Sequence, residues 1–288
     1  MTESVSTPAV DRPDRVATRP GRAARFRRYL HLIGPAAVLL LMLAAAYWMP
    51  LPHDPLTPDP TSVFLPPGSD HWFGTDQTGF DVFSRVIASA RNVLPLVLAG
   101  TVVSMVLGVP LGLIASARVR GAEGLMRVVD GFQAFPLSVL SITVVMLTGN
   151  RLSSVIVAIG VVNVPRFIRL VRSEAIVIRE SRYIEAAEVI GCSRLRVLWR
   201  HVLPNTLDSV TAQASLAAAN GVIVIASLNF LGVGVTQPNP TWGSMVQDGA
   251  QTVSQGYWWM FAFPSIAVLI VVLAFNSLAS GLNKQFEA

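Results

Sequence analysis

The stretch that decides the fold is residues 93–117, VLPLVLAGTVVSMVLGVPLGLIASA, which contains no charged side chain. A helix needs about 20 mostly apolar residues to cross a membrane, and this run exceeds that length. Five further apolar runs are candidates for spans, at Leu32–Met49, Val128–Leu147, Leu152–Leu170, Val210–Gly232 and Trp258–Leu278. Since backbone groups in lipid must pair internally and these runs do not alternate as barrel strands do, the sequence predicts an all-α integral membrane protein with six transmembrane helices.

For one of these runs, the sequence does not fix the residue at which the helix ends. Leu152–Leu170 is short and contains Val164-Pro165-Arg166. Proline removes a backbone donor and disfavours a helical residue before it, so the position at which this helix ends is not fixed by the sequence.

The composition supports the membrane assignment. Only 14% of the residues are charged, 52% are hydrophobic and the mean hydropathy is +0.54, whereas a soluble protein carries about 25% charged residues. A soluble enzyme is therefore excluded. The single cysteine, Cys192, permits no internal disulfide, and the four histidines show no metal-ligand spacing, so neither redox nor zinc chemistry is predicted.

The basic residues predict the orientation. If the N-terminus lies inside, 19 of the 22 basic residues fall in cytosolic segments, and only Arg85, Arg91 and Arg151 fall outside. This asymmetry is what the positive-inside rule expects, with both termini cytosolic and residues 50–92 and 233–257 outside. The basic pI of about 10.1 is thus explained by topology and not by binding of nucleic acid.

The predicted organisation is a disordered basic cytosolic tail over residues 1–30, a first helix with an extracytoplasmic loop over 31–92, a core of five helices over 93–280, and a short cytosolic tail over 281–288. Arg27-Arg28 before an apolar run resembles a processed leader, but five more spans follow and the first run is expected to stay as an anchor. The aromatic residues of 50–92 suggest a loop with an interfacial helix.

The most informative stretch on the predicted cytosolic side is residues 183–204, YIEAAEVIGCSRLRVLWRHVLP, whose pattern predicts a helix, a turn and a second helix. An apolar stripe at helical spacing follows the first helix and consists of Tyr183, Ala186, Ala187 and Ile190. Gly191 is expected to end this helix with a positive φ, and Ser193 to cap the next one. From periodicity alone, a helix that docks on a partner and an ordinary structured loop are equally good interpretations.

The second short helix has its own apolar stripe, formed by Leu195, Leu198, Trp199 and Val202. Arg196 and Arg200 lie off that stripe, which is typical of a helix lying at the headgroups. Pro204 is expected to end this helix before the fifth span.

Several stretches together resemble one family. Glu185-Ala186-Ala187, the glycine six residues after that glutamate, and the later His201-x-x-Leu203-Pro204 resemble the EAA loop of bacterial ABC-importer permeases. Other stretches resemble the dipeptide/oligopeptide/nickel branch of that family: 71–79 (HWFGTDQTG), Asp130 followed by Ala134-Phe135-Pro136, 228–232 (LNFLG) and 240–243 (PTWG). The resemblance covers roughly residues 30–280 and points to the C-type subunits, similar to those named DppC and OppC.

The resemblance implies an ABC-importer permease fold and a division of labour. A homologous B-type permease would pair with this chain as a heterodimer, two ABC ATPase subunits would drive transport, and an extracytoplasmic binding protein would deliver peptides or a related small solute. ATP and Mg²⁺ would be bound by the ATPases, with no cofactor and no catalytic residue on this chain. A phosphate-binding loop is absent from the sequence, since Lys284 is the only lysine and Gln285 follows it. The expected location is the bacterial plasma membrane.

In this family the helix-turn-helix at about residues 180–204 is the coupling loop. The residues it assigns to ATPase coupling are Tyr183, Glu185, Ala186, Ala187, Ile190, Gly191, Ser193 and Arg194. Outer-surface residues that could touch a partner are Trp72, Asp76, Asp81 and Trp242.

Polar residues within spans are candidates for the pathway. Gln213 and Asn220 are seven residues apart and so share one face of the fifth span, where they either line the pathway or hold helices together. The group Asp70, His71, Asp76 and Asp81 suggests a hard-cation site, but acidic outer loops are usually only solvated, and no metal is predicted.

Two departures from the family and several alternatives stay open. Phe80 stands where relatives commonly have Arg, and Ala279-Ser280 follows Asn276-Ser277-Leu278 where Gly-Asp is usual.

The cargo could also be nickel, an opine, glutathione or a haem-like ligand. A secondary carrier would need ionisable groups at the midplane, and a membrane scaffold would not need an ATPase-docking loop.

Overall fold

The computed structural model describes residues 22–117, 121–149, 151–235 and 238–286. These ranges are helical apart from loops, turns and one isolated bridge between Thr75 and Asp81. The α-helices are α1 (Arg22–Trp48), α2 (Val82–Ser116), α3 (Ala122–Ala134), α4 (Leu137–Thr148), α5 (Leu152–Arg179), α6 (Arg182–Val189), α7 (Arg194–Val197), α8 (Leu203–Phe230), α9 (Trp242–Thr252) and α10 (Trp259–Phe286). A π turn, Leu198–Val202, joins α7 to α8. The all-α class is confirmed.

The number of spanning helices in the described ranges is smaller than the six predicted. Four helices are long and apolar enough to cross a membrane: α2, α5, the continuous stretch Arg194–Phe230, and α10. The bent pair α3 and α4 makes a fifth if it is counted as one span. The apolar part of α1, Leu32–Trp48, is a shorter helix. Residues 22–30, predicted to be disordered, belong to α1, and residues 1–21 of that tail lie outside the described ranges.

The third predicted span, Val128–Leu147, is not one straight helix. The chain bends by 98° between α3 and α4. Phe135 is extended, with φ −78° and ψ 140°, and Pro136 forms the N-cap of α4. The residue before a proline is pushed out of the helical region, so the break falls at Phe135-Pro136 although the apolar character of the run continues through it.

Two other prolines do not end helices. Pro165 lies inside α5, and the end that the sequence left open falls at Arg179, beyond the predicted Leu170. Pro204 lies in the first turn of α8 and does not separate it from α7. The Leu203 N–H instead bonds the Leu198 carbonyl in a wider π turn, which gives the proline ring room within a continuous helix.

The main helix pair is α2 against α5, and it is unusually close. A Cβ placed on Gly100 would lie 2.6 Å from the Ile159 Cβ, and one on Gly108 would lie 2.5 Å from the Phe167 Cβ. Small residues let membrane helices approach to backbone distance. Helix α8 packs on this pair, and α10 packs chiefly on α8, α1 and α9.

The segment that the sequence predicts to lie outside, residues 50–81, is irregular and packs on the helices; we call it the outer segment. Phe73 stacks on Phe263 with ring centroids 3.9 Å apart, and Trp259 Nε1 donates to the Thr75 carbonyl at 3.1 Å. Residues 50–81 contain no interfacial helix, and the rest of the predicted loop, residues 82–92, belongs to α2. This end of α2 is fixed to the second outer loop, since Asn92 Nδ2 donates to the Pro240 carbonyl at 2.8 Å.

The opposite end of α2 is joined to the end of α5. The Arg179 guanidinium donates to the Ser116 carbonyl at 2.5 Å, and Arg172 Nε donates to the Ala115 carbonyl at 3.2 Å. Arginines at these unpaired carbonyls satisfy the helix C-terminus and its negative dipole end. The chain passes from this end of α5 into α6.

Candidate functional site

The helix-turn-helix that the sequence predicts is present as α6, a turn, and α7. The turn depends on Gly191, which has a φ of +92°, and the Cys192 N–H bonds the Ala187 carbonyl at 3.0 Å. A glycine after the helix end with this hydrogen bond is a Schellman motif. The predicted positive φ at Gly191 is confirmed, and a Cβ at this residue would meet no atom within 4 Å, so its backbone conformation alone calls for glycine.

One side chain that lies outside the predicted stripe fixes α6 to the rest of the protein. Ile184 is 1% exposed and lies in a hydrophobic cluster with Val197, Val202 and Phe167. Asn205 Nδ2 adds a 3.3 Å contact to the Tyr183 hydroxyl from the first turn of α8. Ile184 and Ala187 are three residues apart, so the helix has a second apolar face beside the predicted stripe, and Ala187 belongs to both.

The predicted stripe of α6 lies mostly on the outside. Ile190 is 84% exposed, Tyr183 is 47% exposed, and Ala186 is exposed as well, whereas Ala187 is half-buried. Val189, 83% exposed, extends this apolar surface. We call Tyr183, Ala186, Val189 and Ile190 the α6 face. Glu185 and Arg194 are exposed near its edge.

The predicted apolar stripe of the second short helix is partly buried and partly exposed. Leu198 and Val202 are buried, while Leu195 and Trp199 are 65% and 49% exposed. Ser193 occupies the N-cap position of α7 but its side chain makes no capping hydrogen bond, so its carbonyl alone enters the helix, accepting from the Val197 N–H at 3.0 Å. The two exposed side chains lie on a surface separate from the buried pair that supports α6.

The two pathway candidates lie in one cleft. Gln213 and Asn220 both line a cleft of about 880 Å³ that is bounded by the bent pair α3 and α4, by α5 and by α8. The Asn220 amide donates to the Leu216 carbonyl at 2.8 Å within its own helix, so it is not holding a neighbouring helix through that group.

The same cleft contains two cations that the sequence assigned to a cytosolic segment. Arg166 donates to the Asn163 side-chain oxygen at 3.3 Å, and Arg169 forms an ion pair with Asp130 on α3. Because α5 continues past Pro165, these arginines lie on a spanning helix and not in a loop. The cleft is therefore lined by basic and polar side chains as well as by apolar ones.

Two of the four outer-surface candidates are buried and cannot touch a partner in this structure. Asp81 is 3% exposed, caps α2 by accepting from the Ser84 N–H at 2.8 Å, and also contacts His71. Trp242 is 1% exposed and its Nε1 donates to the Val86 carbonyl at 2.9 Å. Composition does not distinguish a tryptophan at the membrane interface from one in the core, and the Trp242 ring lies in the core.

The other two candidates differ from each other. Trp72 is 54% exposed and packs edge-on against Phe83. Asp76 is half-buried and organises its own turn, accepting from the Thr78 and Phe80 N–H groups at 2.8 and 3.0 Å. Only Trp72 therefore presents a large free surface.

The unusual Phe80 has a structural role. Its ring lies under the Arg85 guanidinium at 4.0 Å, and Arg85 itself is 2% exposed and donates to the Pro55 carbonyl. A buried guanidinium is stabilised by an aromatic face.

Nearby, burial raises the pKa of the Asp248 carboxyl on α9, and the negative charge of Asp76 adds to the rise.

A pair of tryptophan variants tests this division. We expect Trp242→Ala to lower the free energy of unfolding by about 3–5 kcal/mol, because a fully buried ring and its hydrogen bond are lost. Trp72→Ala should cost about 1 kcal/mol or less, since most of that ring is exposed. Thermal unfolding of both variants in one detergent would measure this; equal losses would contradict the assignment of Trp242 to the core.

Comparison with known proteins identifies the family. Residues 108–288 match the family described as the inner membrane component of binding-protein-dependent transport systems. A Brucella suis protein named as a peptide transport system permease is 38% identical over 294 residues, covering 100% of this chain and 98% of the relative. A dipeptide transport system permease, DppC, of Alkalihalophilus pseudofirmus is 37% identical, covering 80% of this chain and 75% of its own length. A glutathione transport system permease, GsiD, of Pectobacterium atrosepticum is 34% identical, covering 91% and 88%.

A solved structure has the same fold. The inward-facing MetNI methionine ABC transporter has a chain that aligns with a TM-score of 0.59 at 17% identity, covering 70% of this chain and 95% of that one. The expected permease fold is thereby confirmed, as is the resemblance to the peptide permeases. The chain belongs to the family of binding-protein-dependent transport system inner membrane components, and it is a multi-pass membrane permease subunit of an ABC importer.

Proposed function

We propose that this chain forms, with a homologous B-type permease, the pathway of an importer for short peptides. Relatives that match 75% or more of their own length are named for peptide, dipeptide and glutathione transport, and glutathione is itself a short peptide. An extracytoplasmic binding protein delivers the solute. Selection of one peptide class over another then lies largely with that binding protein.

The observation that carries the coupling part of this proposal is the α6 face. Its apolar side chains are exposed although Ile184, on the same short helix, is anchored in the core. An apolar surface on a firmly held helix is typical of a docking site. The α6 face contacts a groove on an ATPase subunit, and the α6 backbone passes movement to α5 and α8, on which it is anchored.

The chemistry of ATP hydrolysis belongs to the partners in this proposal. The sequence has no phosphate-binding loop, so ATP and Mg²⁺ are bound by two ATPase subunits and this chain is not an enzyme. Gln213 and Asn220 contribute polar groups to the pathway, and Arg166 of the same cleft favours solutes that bear a carboxylate, as every peptide does, whereas Arg169 is already paired with Asp130.

Copurification and uptake test this function directly. The tagged chain, purified from the membranes of its native host, should bring down a second permease and two proteins with phosphate-binding loops. Proteoliposomes with the complex, the binding protein and internal ATP should accumulate labelled di- or tripeptides. Accumulation of peptides without ATP, driven by a proton or sodium gradient, would instead favour a secondary carrier.

The orientation gives a separate prediction through Cys192, the one cysteine of the chain. The positive-inside distribution supports a cytosolic position for the α6 turn. We expect a membrane-impermeant maleimide to label Cys192 in inverted vesicles and not in intact spheroplasts. The thiol is half-buried, so labelling should be slow, and bound ATPases should slow it further. Labelling from outside spheroplasts would overturn both the orientation and the coupling proposal.

A further inference from the structure

Two histidines from different parts of the outer segment converge on one carboxylate. The Asp81 Oδ1 lies 2.9 Å from the Nδ1 of His71 and 3.9 Å from the Nδ1 of His53. The two imidazole rings are stacked, with centroids 4.3 Å apart and planes inclined by 26°, so both nitrogens point at the same oxygen. His53 lies far from the acidic group that the sequence suggested, which is why no ligand spacing was visible.

One nitrogen of this cluster is unexplained by the fold. The Nδ1 of His53 is buried, and within the described residues it has no hydrogen-bond partner. Buried polar atoms without partners are rare in folded proteins and call for an explanation. Capping of α2 by Asp81, with His71 bound to it, requires nothing from His53. A ligand between the two histidines and the carboxylate would give this nitrogen its partner.

The geometry points to a divalent metal site formed by His53, His71 and Asp81, and we propose that it binds Zn²⁺. The three ligand atoms lie within 4.8 Å of one another. In a tetrahedral zinc site with bonds of about 2.0–2.1 Å, the ligand atoms are roughly 3.3 Å apart, and the observed distances of 2.9 and 3.9 Å lie on either side of that value. Small movements of side chains are enough to close the site.

The ligand set selects the kind of metal. Imidazole nitrogen suits zinc and its neighbours in the first transition row, whereas Ca²⁺ and Mg²⁺ prefer oxygen ligands. Three protein ligands leave a fourth position for water, and the His53 side chain is 37% exposed, which provides that opening. Binding through Nδ1 requires the Nε2–H tautomer of His71, so bonds from Nδ1 and from the Asp81 Oδ1 to the metal replace the hydrogen bond between these two atoms.

The ligands are held before a metal arrives. Asp81 Oδ2 is already occupied by the Ser84 N–H, which leaves Oδ1 for the metal, and the His53 backbone N–H donates to the Ser84 hydroxyl at 3.3 Å. Such supporting hydrogen bonds orient metal ligands and raise affinity. His53 and His71 belong to the outer segment, and Asp81 is the N-cap of α2. A bound zinc would therefore fasten the outer segment to α2.

Zinc binding can be measured on the full chain in detergent, purified through a tag without histidine. After removal of metals with EDTA and addition of Zn²⁺, we expect one zinc per chain by atomic emission, and Co²⁺ should give the intense visible absorption of a tetrahedral site. His53→Gln should weaken binding by about 10–100-fold. This variant removes no side-chain hydrogen bond and loses only the ring contact with His71, so its unfolding temperature in EDTA should fall little, whereas Zn²⁺ should raise the unfolding temperature of the unsubstituted chain only.

His201→Gln is the matched control, since His201 lies on the π turn, away from the outer segment. Its zinc content should equal that of the unsubstituted chain. Equal zinc binding by His53→Gln, loss of zinc with His201→Gln, or only the weak absorption of octahedral Co²⁺ would each overturn the proposal. None of these results bears on the transport function, which does not depend on the site.

Discussion

Replacing Ile190 by glutamate should abolish ATP-dependent uptake while the permease still folds and inserts. Ile190 is 84% exposed, so a charge there costs the isolated chain almost nothing. In the assembled importer the same charge would be desolvated in an apolar contact with no partner, which typically costs about 3–5 kcal/mol. That loss corresponds to at least a hundredfold weaker binding of the ATPase.

The experiment compares Ile190→Glu with Ile190→Leu at equal membrane abundance. The leucine variant keeps the apolar contact and should transport normally, and the glutamate variant should fail to retain ATPase subunits on a tagged permease. Glu185→Lys should also reduce uptake, because this exposed carboxylate lies beside the contact. Normal uptake by Ile190→Glu with ATPases bound would show that α6 is not the coupling element.

The turn that follows α6 offers a matched pair of a different kind. Gly191→Pro fixes φ near −65°, which is incompatible with the observed +92°, whereas Gly191→Asn tolerates a left-handed backbone. If the orientation of α6 matters for coupling, the proline variant loses uptake and the asparagine variant keeps most of it.

The elements that local signals determine were predictable from the sequence. Spanning helices follow from length and apolarity because lipid leaves the backbone no other partner. The turn at Gly191 follows from one residue that can adopt positive φ, placed between two helical patterns. Both rest on constraints that act within a few residues.

The elements that depend on neighbouring helices were not predictable in the same way. Pro165 and Pro204 look like helix ends, but a packed membrane helix tolerates proline, and a π turn accommodates the second one. Conversely, Pro136 breaks an apolar run that reads as one span. Whether a proline ends a helix depends on the helices that pack around it, and composition gives no information on that packing.

The candidate site shows the same division. Helix α6 has two apolar faces, and the sequence cannot say which of them the protein buries. The structure buries Ile184 and leaves Ile190 exposed because the cluster around Val202 meets only one face. Of the three possible metal ligands, His71 and Asp81 belong to a group that the sequence suggested, but His53 could not be predicted, since a fold must first bring it to Asp81.

Substituting alanine for Gly108 should destabilise the permease, whereas the same substitution at Gly124 should stabilise it slightly. A Cβ on Gly108 would lie 2.5 Å from the Phe167 Cβ and 3.1 Å from the Val164 carbonyl oxygen, so α2 and α5 would have to separate. Overpacking of this kind costs about 1–3 kcal/mol. A Cβ on Gly124 in α3 would meet no atom within 4 Å, and alanine there gains about 0.5–1 kcal/mol because it restricts the unfolded chain.

The opposite signs make this comparison sharp, because both variants add one methyl group to a helix and differ only in what that group meets. Thermal unfolding in a single detergent measures it, with uptake as a second readout: Gly108→Ala should lower the unfolding temperature, and Gly124→Ala should raise it or leave it unchanged. Gly108→Ser should behave like alanine, since its Cβ meets the same Phe167 side chain. If Gly108→Ala unfolds at the same temperature as the unsubstituted chain, the α2–α5 contact is looser than 2.5 Å implies, and close backbone approach is not what holds the core of the permease together.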